Sequence, residues 1–155
     1  MTRLYGRALR SERVNDYVPD VRFERASVIS SMRLSGKAVP VVFKGTLNGE
    51  LFRKYISDCL APTVKTGDIL VLDNLAVHKV AGAVDAIYRR GASVLFLPPY
   101  SPDFNPIELS WSKMKAALKR LKPRTYGELV SSLKTSLGCF TRDDIKNWFT
   151  HDGYV

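Results

Sequence analysis

Residues 69–74 read Ile-Leu-Val-Leu-Asp-Asn, and residues 97–108 read Leu-Pro-Pro-Tyr-Ser-Pro-Asp-Phe-Asn-Pro-Ile-Glu. The first stretch predicts a buried β-strand that ends in a carboxylate, Asp73, because four consecutive apolar residues precede the acid. The second stretch is a loop stiffened by prolines, and it brings Glu108 into the first turn of a new helix. Ligand crevices of open α/β sheets lie outside the carboxyl ends of the strands. We therefore expect two acids that are distant in sequence to meet at one site.

The segments around these stretches alternate between strand and helix patterns. Hydrophobic periodicity and turn residues predict strands at 21–34, 38–43, 68–72 and 93–97, and helices at about 50–60, 77–90, 105–121, 125–137 and from 141 onward. The first two strands form a hairpin through a turn at Ser35-Gly36-Lys37, and Pro40 places the second at a sheet edge. Two helix starts have the spacing of capping boxes: Thr125 with Glu128, and Thr141 with Asp144. This order predicts one α/β domain with a mixed sheet flanked by helices.

The composition favours a polyanionic partner, nucleic acid before a membrane surface. The 155 residues include 24 Lys and Arg against 15 Asp and Glu, which gives a net charge of +9. No signal-peptide pattern is present, and the longest apolar run, residues 38–43, is far too short to span a bilayer. Cys59 and Cys139 have no metal-type spacing and are expected to be reduced core thiols. We expect a soluble cytoplasmic protein with no membrane partner.

Each of the two acids also has a purely structural interpretation. Asp73 could cap a helix or stabilise a turn. Glu108 could close a capping box on Asn105. These alternatives are more common than a catalytic role when either residue is considered alone.

The helix that follows Glu108 favours a functional role. At 100° per residue, one face collects an acid, a serine and two lysines: Glu108, Ser112, Lys115 and Lys119. A second face is apolar and predicts the core contact: Ile107, Trp111, Met114, Leu118 and Leu121. Six basic residues and no acidic ones lie between residues 111 and 124: Lys113, Lys115, Lys119, Arg120, Lys122 and Arg124. A solvated surface explains many such rows, but an acid at the head of one fits a metal site beside a phosphate backbone.

Several motifs together resemble the catalytic core of mariner-like insertion-sequence transposases. They are Asp73-Asn74 with His78-Lys79, the proline-rich run from Leu97 to Glu108, Trp111 with Lys115, Gly45 with Asn48 and Phe52, and Trp148-Phe149 with His151 and Gly153-Tyr154. Between Asp73 and Glu108 there are 108 − 73 − 1 = 34 residues, which is that family's spacing. The resemblance implies a ribonuclease-H-like fold and an Asp-Asp-Glu triad that cuts and rejoins DNA with Mg²⁺ or Mn²⁺. By this match Asp73 is the second acid and Glu108 the third, and both bind metal.

The chain also departs from the family pattern, because the first aspartate and its central strand would precede the segment that begins at Leu4. Residues 1–155 are therefore expected to be a partial catalytic domain, without the first central strand and without the helix-turn-helix region. Asp16 or Asp20 could substitute for the missing acid, although the residues between them predict a loop. We expect two sheet pieces with open inner edges, and a chain that associates or folds poorly and cleaves DNA negligibly on its own.

The expected DNA-contacting residues are Lys113, Lys115, Lys119, Arg120, His78 and Tyr100. His78 could instead be an ordinary surface histidine, and Tyr100 could pack against its own loop. Arg3, Arg7, Arg10 and Arg13 form either a solvated lead-in or a DNA-contacting arm. Three functions remain open: a transposase catalytic fragment that acts on transposon ends and target DNA with a second copy or an upstream transposase segment, a non-catalytic DNA-binding remnant, and a stand-alone metal nuclease.

Overall fold

The computed structural model describes residues 6–15, 25–36 and 38–155. Its strands are β1 (Ala26–Ile29), β2 (Val41–Lys44), β3 (Ile69–Leu72) and β4 (Ser93–Phe96). Its α-helices are α1 (Gly49–Lys54), α2 (Asp85–Tyr88), α3 (Pro106–Leu121), α4 (Tyr126–Gly138) and α5 (Arg142–His151). A π-helical segment, Tyr55–Leu60, continues α1, and 3₁₀ turns lie at Ala61–Thr63, Ala76–Lys79 and Pro102–Phe104.

The β1–β2 hairpin separates two helical layers. Val28 lies opposite Val42, and Ile29 lies opposite Val41, in an antiparallel register. Because successive strand residues point to opposite faces, Ile29 and Val41 pack on the cluster around α1, while Val28 and Val42 pack on the cluster under α3 and α4. The predicted hairpin is confirmed.

The larger core cluster surrounds the helix that runs from α1 into the π-helical segment. Its buried members are Phe52, Tyr55, Ile56, Leu60, Ala61, Val64, Ala83, Ile87 and Ala92. The smaller cluster joins α3 to α4 through Met114, Leu118 and Leu133. The predicted apolar face of α3 is thus confirmed at its centre, but Leu121, in the last turn of the helix, is 48% exposed.

The strands form two separate two-stranded sheets, because β3 pairs in parallel only with β4 and, in the described residues, no strand joins β1 to β3. Residues of β1 and β3 instead line one cavity of about 680 Å³. One residue of a packed strand takes a volume of about 160 Å³, from a rise of about 3.3 Å, a strand spacing of about 4.8 Å and a layer separation of about 10 Å. Four such residues therefore take about 630 Å³. The cavity between the two sheet pieces is thus large enough for a strand of about four residues.

One ion pair connects the hairpin to β3 at the end of this cavity. Arg33 binds the Asp68 carboxylate through both terminal nitrogens and also donates to the carbonyl oxygen of Thr63 at 3.0 Å. Asp68 in turn accepts the backbone N–H of Lys65 at 2.7 Å. These contacts hold the loop before β3 against the hairpin without strand pairing.

The predicted continuous helix over residues 77–90 is wrong. The chain instead forms the 3₁₀ turn at Ala76–Lys79, an extended residue at Val80 and the short helix α2. Gly82 has a φ of 73°, in the left-handed region that glycine adopts readily. Three valines in this stretch also lower its helix propensity.

Side chains cap the starts of three helices. The two predicted capping boxes, at Thr125 and Thr141, are confirmed. Asn48, which was predicted in a turn, caps α1 by accepting the backbone N–H of Leu51. Both cysteines are free, but Cys139 is exposed and is not a core thiol. Residues 16–24, with Asp16 and Asp20, and also Arg3 and Lys37, lie outside the described residues. In the parts of the chain that are described, no helix has the length and apolar character needed to cross a membrane.

We predict that the Arg33–Asp68 pair makes stability depend on pH in the acid range. The hydrogen bond from Arg33, followed by that from Lys65, lowers the pKa of Asp68 from 3.8 to about 2. Because the folded-state pKa is lowered, the contribution is complete above the ordinary value and is lost as the pH falls from about 4 to about 2. Asp68→Asn should lower the urea midpoint at neutral pH and flatten its decline below pH 4.

Asp143→Asn serves as the control, because Asp143 is an exposed residue of α5 for which no side-chain hydrogen bond or ion pair is found among the described residues. The Asp68 side chain is 28% exposed, so added salt should reduce the difference between Asp68→Asn and wild type. Parallel pH curves for wild type and Asp68→Asn would contradict the prediction.

Candidate active site

Asp73 follows β3 directly, and strand pairing fixes its position. The backbone N–H of Leu97 donates to the carbonyl oxygen of Leu72 at 2.8 Å, which extends the β3–β4 pairing up to the acid. Oδ1 of Asp73 is buried and makes no hydrogen bond within the described residues. The next 3₁₀ turn begins after Leu75 and has no side-chain cap, so the interpretation of Asp73 as a helix cap is wrong.

His78 lies against Asp73 and is not a surface histidine. Its residue exposure is 9%, and its ring lies 4.4 Å from the ring of Phe52. Nδ1 is 2.5 Å from Oδ1 of Asp73, an ion-pair distance whose angles do not make a hydrogen bond. Nδ1 also lies 3.4 Å from the backbone carbonyl oxygen of Asp73, so His78 contacts both the side chain and the backbone of the acid. His78 thus holds the Asp73 carboxylate from its buried side.

Glu108 lies in the first turn of α3, as predicted, but it does not cap the helix. Asn105 is the N-cap residue and makes no side-chain capping bond, while Pro106 occupies the first helical position. The backbone N–H of Glu108 donates to the carbonyl oxygen of Asn105 at 2.9 Å. Its carboxylate is exposed and has no hydrogen bond or ion pair within the described part of the chain, so the capping-box interpretation is wrong.

Asp73, His78 and Glu108 all line the cavity between β1 and β3. The two acids therefore face one space, although they come from a strand end and a helix start that are distant in sequence. Carboxylate oxygens suit a hard cation such as Mg²⁺ or Mn²⁺, and Asp73 and Glu108 both present such oxygens at this cavity. However, no group of three or more His, Cys, Asp or Glu close enough to hold a metal ion exists in the described residues. The donor chemistry fits a divalent cation, and the ligand set is incomplete.

The basic residues of α3 are divided between two environments. Lys113 is partly buried, and its Nζ lies 2.5 Å from Oδ2 of Asp144, so its charge links α3 to α5. Lys115, Lys119 and Arg120 are exposed, and no described side chain pairs with them. Lys115 also lines a second cavity of about 700 Å³ between β1, α3 and α4.

Tyr100 occupies the tip of the loop that leads to Glu108. Its side chain is fully exposed, and its φ of 56° is unusual for a residue other than glycine. The alternative that Tyr100 packs against its own loop is therefore wrong. Arg7, Arg10 and Arg13 are exposed as well. Contact of any of these residues with DNA stays a prediction.

The sequence motifs did not reveal how His78 is positioned. Phe52, 1% exposed in the larger core cluster, provides the surface on which the His78 ring lies. The spacing of Asn48 and Phe52 in the motif is explained by structure, because Asn48 starts the helix that buries Phe52. The available signal was that Phe52 and His78 each belong to a motif of the mariner-like resemblance, but the two motifs do not indicate that these side chains are in contact.

The comparisons with known proteins agree with this architecture. The family model for the DDE superfamily endonuclease matches residues 1–130. The crystal structure of the Mos1 strand transfer complex matches with a TM-score of 0.74 at 16% sequence identity, covering 97% of this chain and 47% of that one. The chain thus spans about half the length of the Mos1 chain, and no curated protein matches it significantly. The predicted ribonuclease-H-like α/β fold is confirmed.

We predict that the Asp73–His78 contact sets metal affinity. Residues that orient metal ligands typically change affinity about 10- to 100-fold when they are replaced. His78→Leu fills the apolar space against Phe52 but supplies no N–H, so Mn²⁺ affinity should fall at least about 10-fold. His78→Asn keeps an N–H near the position of Nδ1 and should lose less.

Free Mn²⁺ measured by electron paramagnetic resonance gives the affinity directly, with Asp73→Ala as the reference for loss of the site. His78→Leu protein that binds Mn²⁺ as tightly as wild type, while Asp73→Ala does not, would show that His78 has no role in positioning the acid.

Proposed function

Because the chain belongs to the DDE superfamily endonuclease family, we propose that it is a transposase catalytic domain that cuts and rejoins DNA with Mg²⁺ or Mn²⁺. The observation that carries this proposal is the shared cavity of Asp73 and Glu108, neither of which caps a helix. Two acids that face one crevice are what a metal-dependent strand-transfer site requires.

In this proposal Asp73 and Glu108 bind the cation through carboxylate oxygens. A divalent cation, when bound, stabilises negative charge on the attacking and leaving oxygens of phosphoryl transfer. His78 keeps the Asp73 carboxylate turned to the cavity, since its Nδ1 lies 2.5 Å from Oδ1. The β3–β4 pair holds Asp73, while α3 holds Glu108. The role of the chain is therefore to position charged oxygens on regular secondary structure.

A third carboxylate is needed, because one acid usually bridges both metal ions. The described residues do not supply it, so we propose that it arrives on the strand that fills the space between β1 and β3. A strand there would be buried between two helical layers and would therefore be apolar on both faces. Its source is an upstream transposase segment or a second copy of the chain.

A non-catalytic DNA-binding remnant is the second candidate. The observation in its favour is the incomplete ligand set, combined with the exposed basic residues of α3. Both candidate functions require DNA as the partner. In the transposase case, that DNA is the transposon ends and the target DNA. They differ in whether cleavage appears once the missing strand is supplied.

We predict that the 155-residue chain alone cleaves DNA negligibly with Mg²⁺ or Mn²⁺. A peptide or N-terminal extension that carries an apolar strand ending in aspartate should restore cleavage, and Asp73→Ala or Glu108→Ala should abolish the restored activity. The measurement is strand cleavage of labelled duplex DNA. The same strand with asparagine in place of aspartate is the matched control, because it fills the space without supplying the carboxylate.

Two outcomes would change the assignment. DNA binding without cleavage in the presence of the aspartate strand would favour the remnant. Robust cleavage by the chain alone, lost on Asp73→Ala, would place the third acid within residues 1–155, and Asp16→Asn and Asp20→Asn would then identify it.

DNA binding should depend strongly on salt and weakly on sequence. Each phosphate that the protein neutralises steepens the slope of log K against log[salt] by about 0.9. Replacing both Lys115 and Lys119 with alanine should therefore reduce the slope by about 1.8. Lys134→Ala is the control, because Lys134 is an exposed lysine of α4 outside the basic row of α3, and it should leave the slope unchanged.

Fluorescence anisotropy on two unrelated duplexes, each over a range of salt concentrations, measures the slopes. A slope that is equal in wild type and in the double variant would exclude these lysines from the DNA interface.

A further inference from the structure

The residues that follow α5 form a C-terminal helix cap, and this cap directs the hydroxyl group of Tyr154 toward the loop before α3. The N–H of Gly153 donates to the carbonyl of Thr150 at 3.1 Å, and that of Tyr154 donates to the carbonyl of Phe149 at 2.9 Å. This is a Schellman motif, in which Gly153 has the expected positive φ, 82°. The rings of Phe149 and Tyr154 supply its apolar contact, with centroids 6.0 Å apart. The motif thus explains the spacing of Phe149, Gly153 and Tyr154.

The Tyr154 hydroxyl reaches the loop that precedes Glu108. It donates to the carbonyl oxygen of Phe104 at 2.7 Å. The other hydrogen bonds of residues 98–105 found among the described residues are local. The N–H groups of Phe104 and Asn105 donate to the carbonyls of Ser101 and Pro102, the Ser101 hydroxyl donates to the carbonyl of Pro99, and the Asn105 carbonyl accepts from the N–H of Glu108. Since α3 also lacks a side-chain N-cap, the Tyr154 bond is what ties this loop to a second element.

Tyr154 is itself held at a fixed place relative to α3. Lys113 of α3 binds Asp144 in the capping box of α5, and Ile145 of α5 is 4% exposed. Burial, followed by the charge of Asp152, raises the pKa of Tyr154, so its hydroxyl keeps the proton that it donates. Both Phe149 and Tyr154 line the cavity that Asp73 and Glu108 share.

We propose that Tyr154 is a positioning residue for Glu108, and that it acts by holding the Phe104 carbonyl four residues before the acid. The proposal rests on the proposed role of Glu108 in metal binding. In the absence of the hydroxyl, the loop loses its tie to α5, and the first turn of α3 no longer presents Glu108 to the cavity at a fixed angle.

The loop itself provides the first test, independent of metal. Hydrogen exchange of the Phe104 and Asn105 amides should speed up in Tyr154→Phe, which removes the hydroxyl and keeps the ring. Amides in the middle of α3 should not change. Tyr88→Phe is the matched control, because Tyr88 is 51% exposed and no described group bonds its hydroxyl. Both variants are compared at dilutions where the chain is monomeric.

Metal binding provides the second test. Mn²⁺ affinity should fall about 10-fold in Tyr154→Phe, the lower end of the effect of indirect ligand positioning. If Tyr154 acts through Glu108, the same change should have no effect in a Glu108→Gln background, because contributions along one path are not additive.

The possible outcomes show separately whether the role of Tyr154 fails or the proposed function fails. Unchanged amide exchange in Tyr154→Phe would refute the tie between Tyr154 and the loop. Faster exchange with unchanged Mn²⁺ affinity, or an equal loss in the Glu108→Gln background, would refute positioning through Glu108. If wild-type protein supplied with the missing strand binds no Mn²⁺, the proposed function fails, and with it the role in metal binding, while the exchange result still decides whether Tyr154 holds the loop.

Discussion

The parallel pairing of β3 with β4 is the constraint on which the candidate site depends. Leu97 donates its N–H to the carbonyl of Leu72, so the chain leaves β4 immediately beside the residue that precedes Asp73. The proline-rich loop therefore begins near one acid and ends at the other. Prolines limit the conformations open to that loop, which leaves few ways for α3 to begin. Two strands of four residues each thus direct two acids that are separated by 34 residues toward one cavity.

The space between β1 and β3 is surrounded by elements that do not depend on it. The larger core cluster lies on one side and the α3–α4 cluster on the other. Arg33 and Asp68 close one end, and the acids lie at the border with α3. Because each sheet piece packs on its own helices, the fold keeps its layers even though neither β1 nor β3 pairs with a strand at this edge in the described residues.

Much of this arrangement was predictable from the sequence, because the decisive signals are local. Four apolar residues before Asp73, the Asn105-Pro106 helix start and the two capping boxes depend on neighbouring residues only. The prediction of a helix over residues 77–90 was wrong because it relied on the spacing of apolar residues and gave too little weight to Gly82 and to the low helix propensity of the valines. Burial of His78 could not be predicted either, since it depends on Phe52, which lies 26 positions earlier in the chain (78 − 52 = 26). Contacts of that kind need the folded chain.

The same limit applies to the basic residues of α3. Their periodicity separated a polar face from an apolar one, but it did not indicate that Lys113 binds Asp144 while Lys115 stays exposed. The role of Tyr154 could not be predicted from the sequence either. Its hydroxyl binds a backbone carbonyl, and any residue at position 104 supplies that group. Side-chain patterns carry no information about such bonds.

The open space between β1 and β3 has a thermodynamic consequence. A strand that binds only the folded chain stabilises it by RT ln(1 + [L]/Kd), which is about 2.7 kcal/mol when the free strand is at 100 times its dissociation constant. If a strand fills this space as proposed, the melting temperature would rise with the concentration of that strand. A strand joined covalently acts at an effective concentration set by its linker, in the millimolar range for short flexible ones. In the proposed function, a strand linked in cis would therefore make this stabilisation independent of protein concentration.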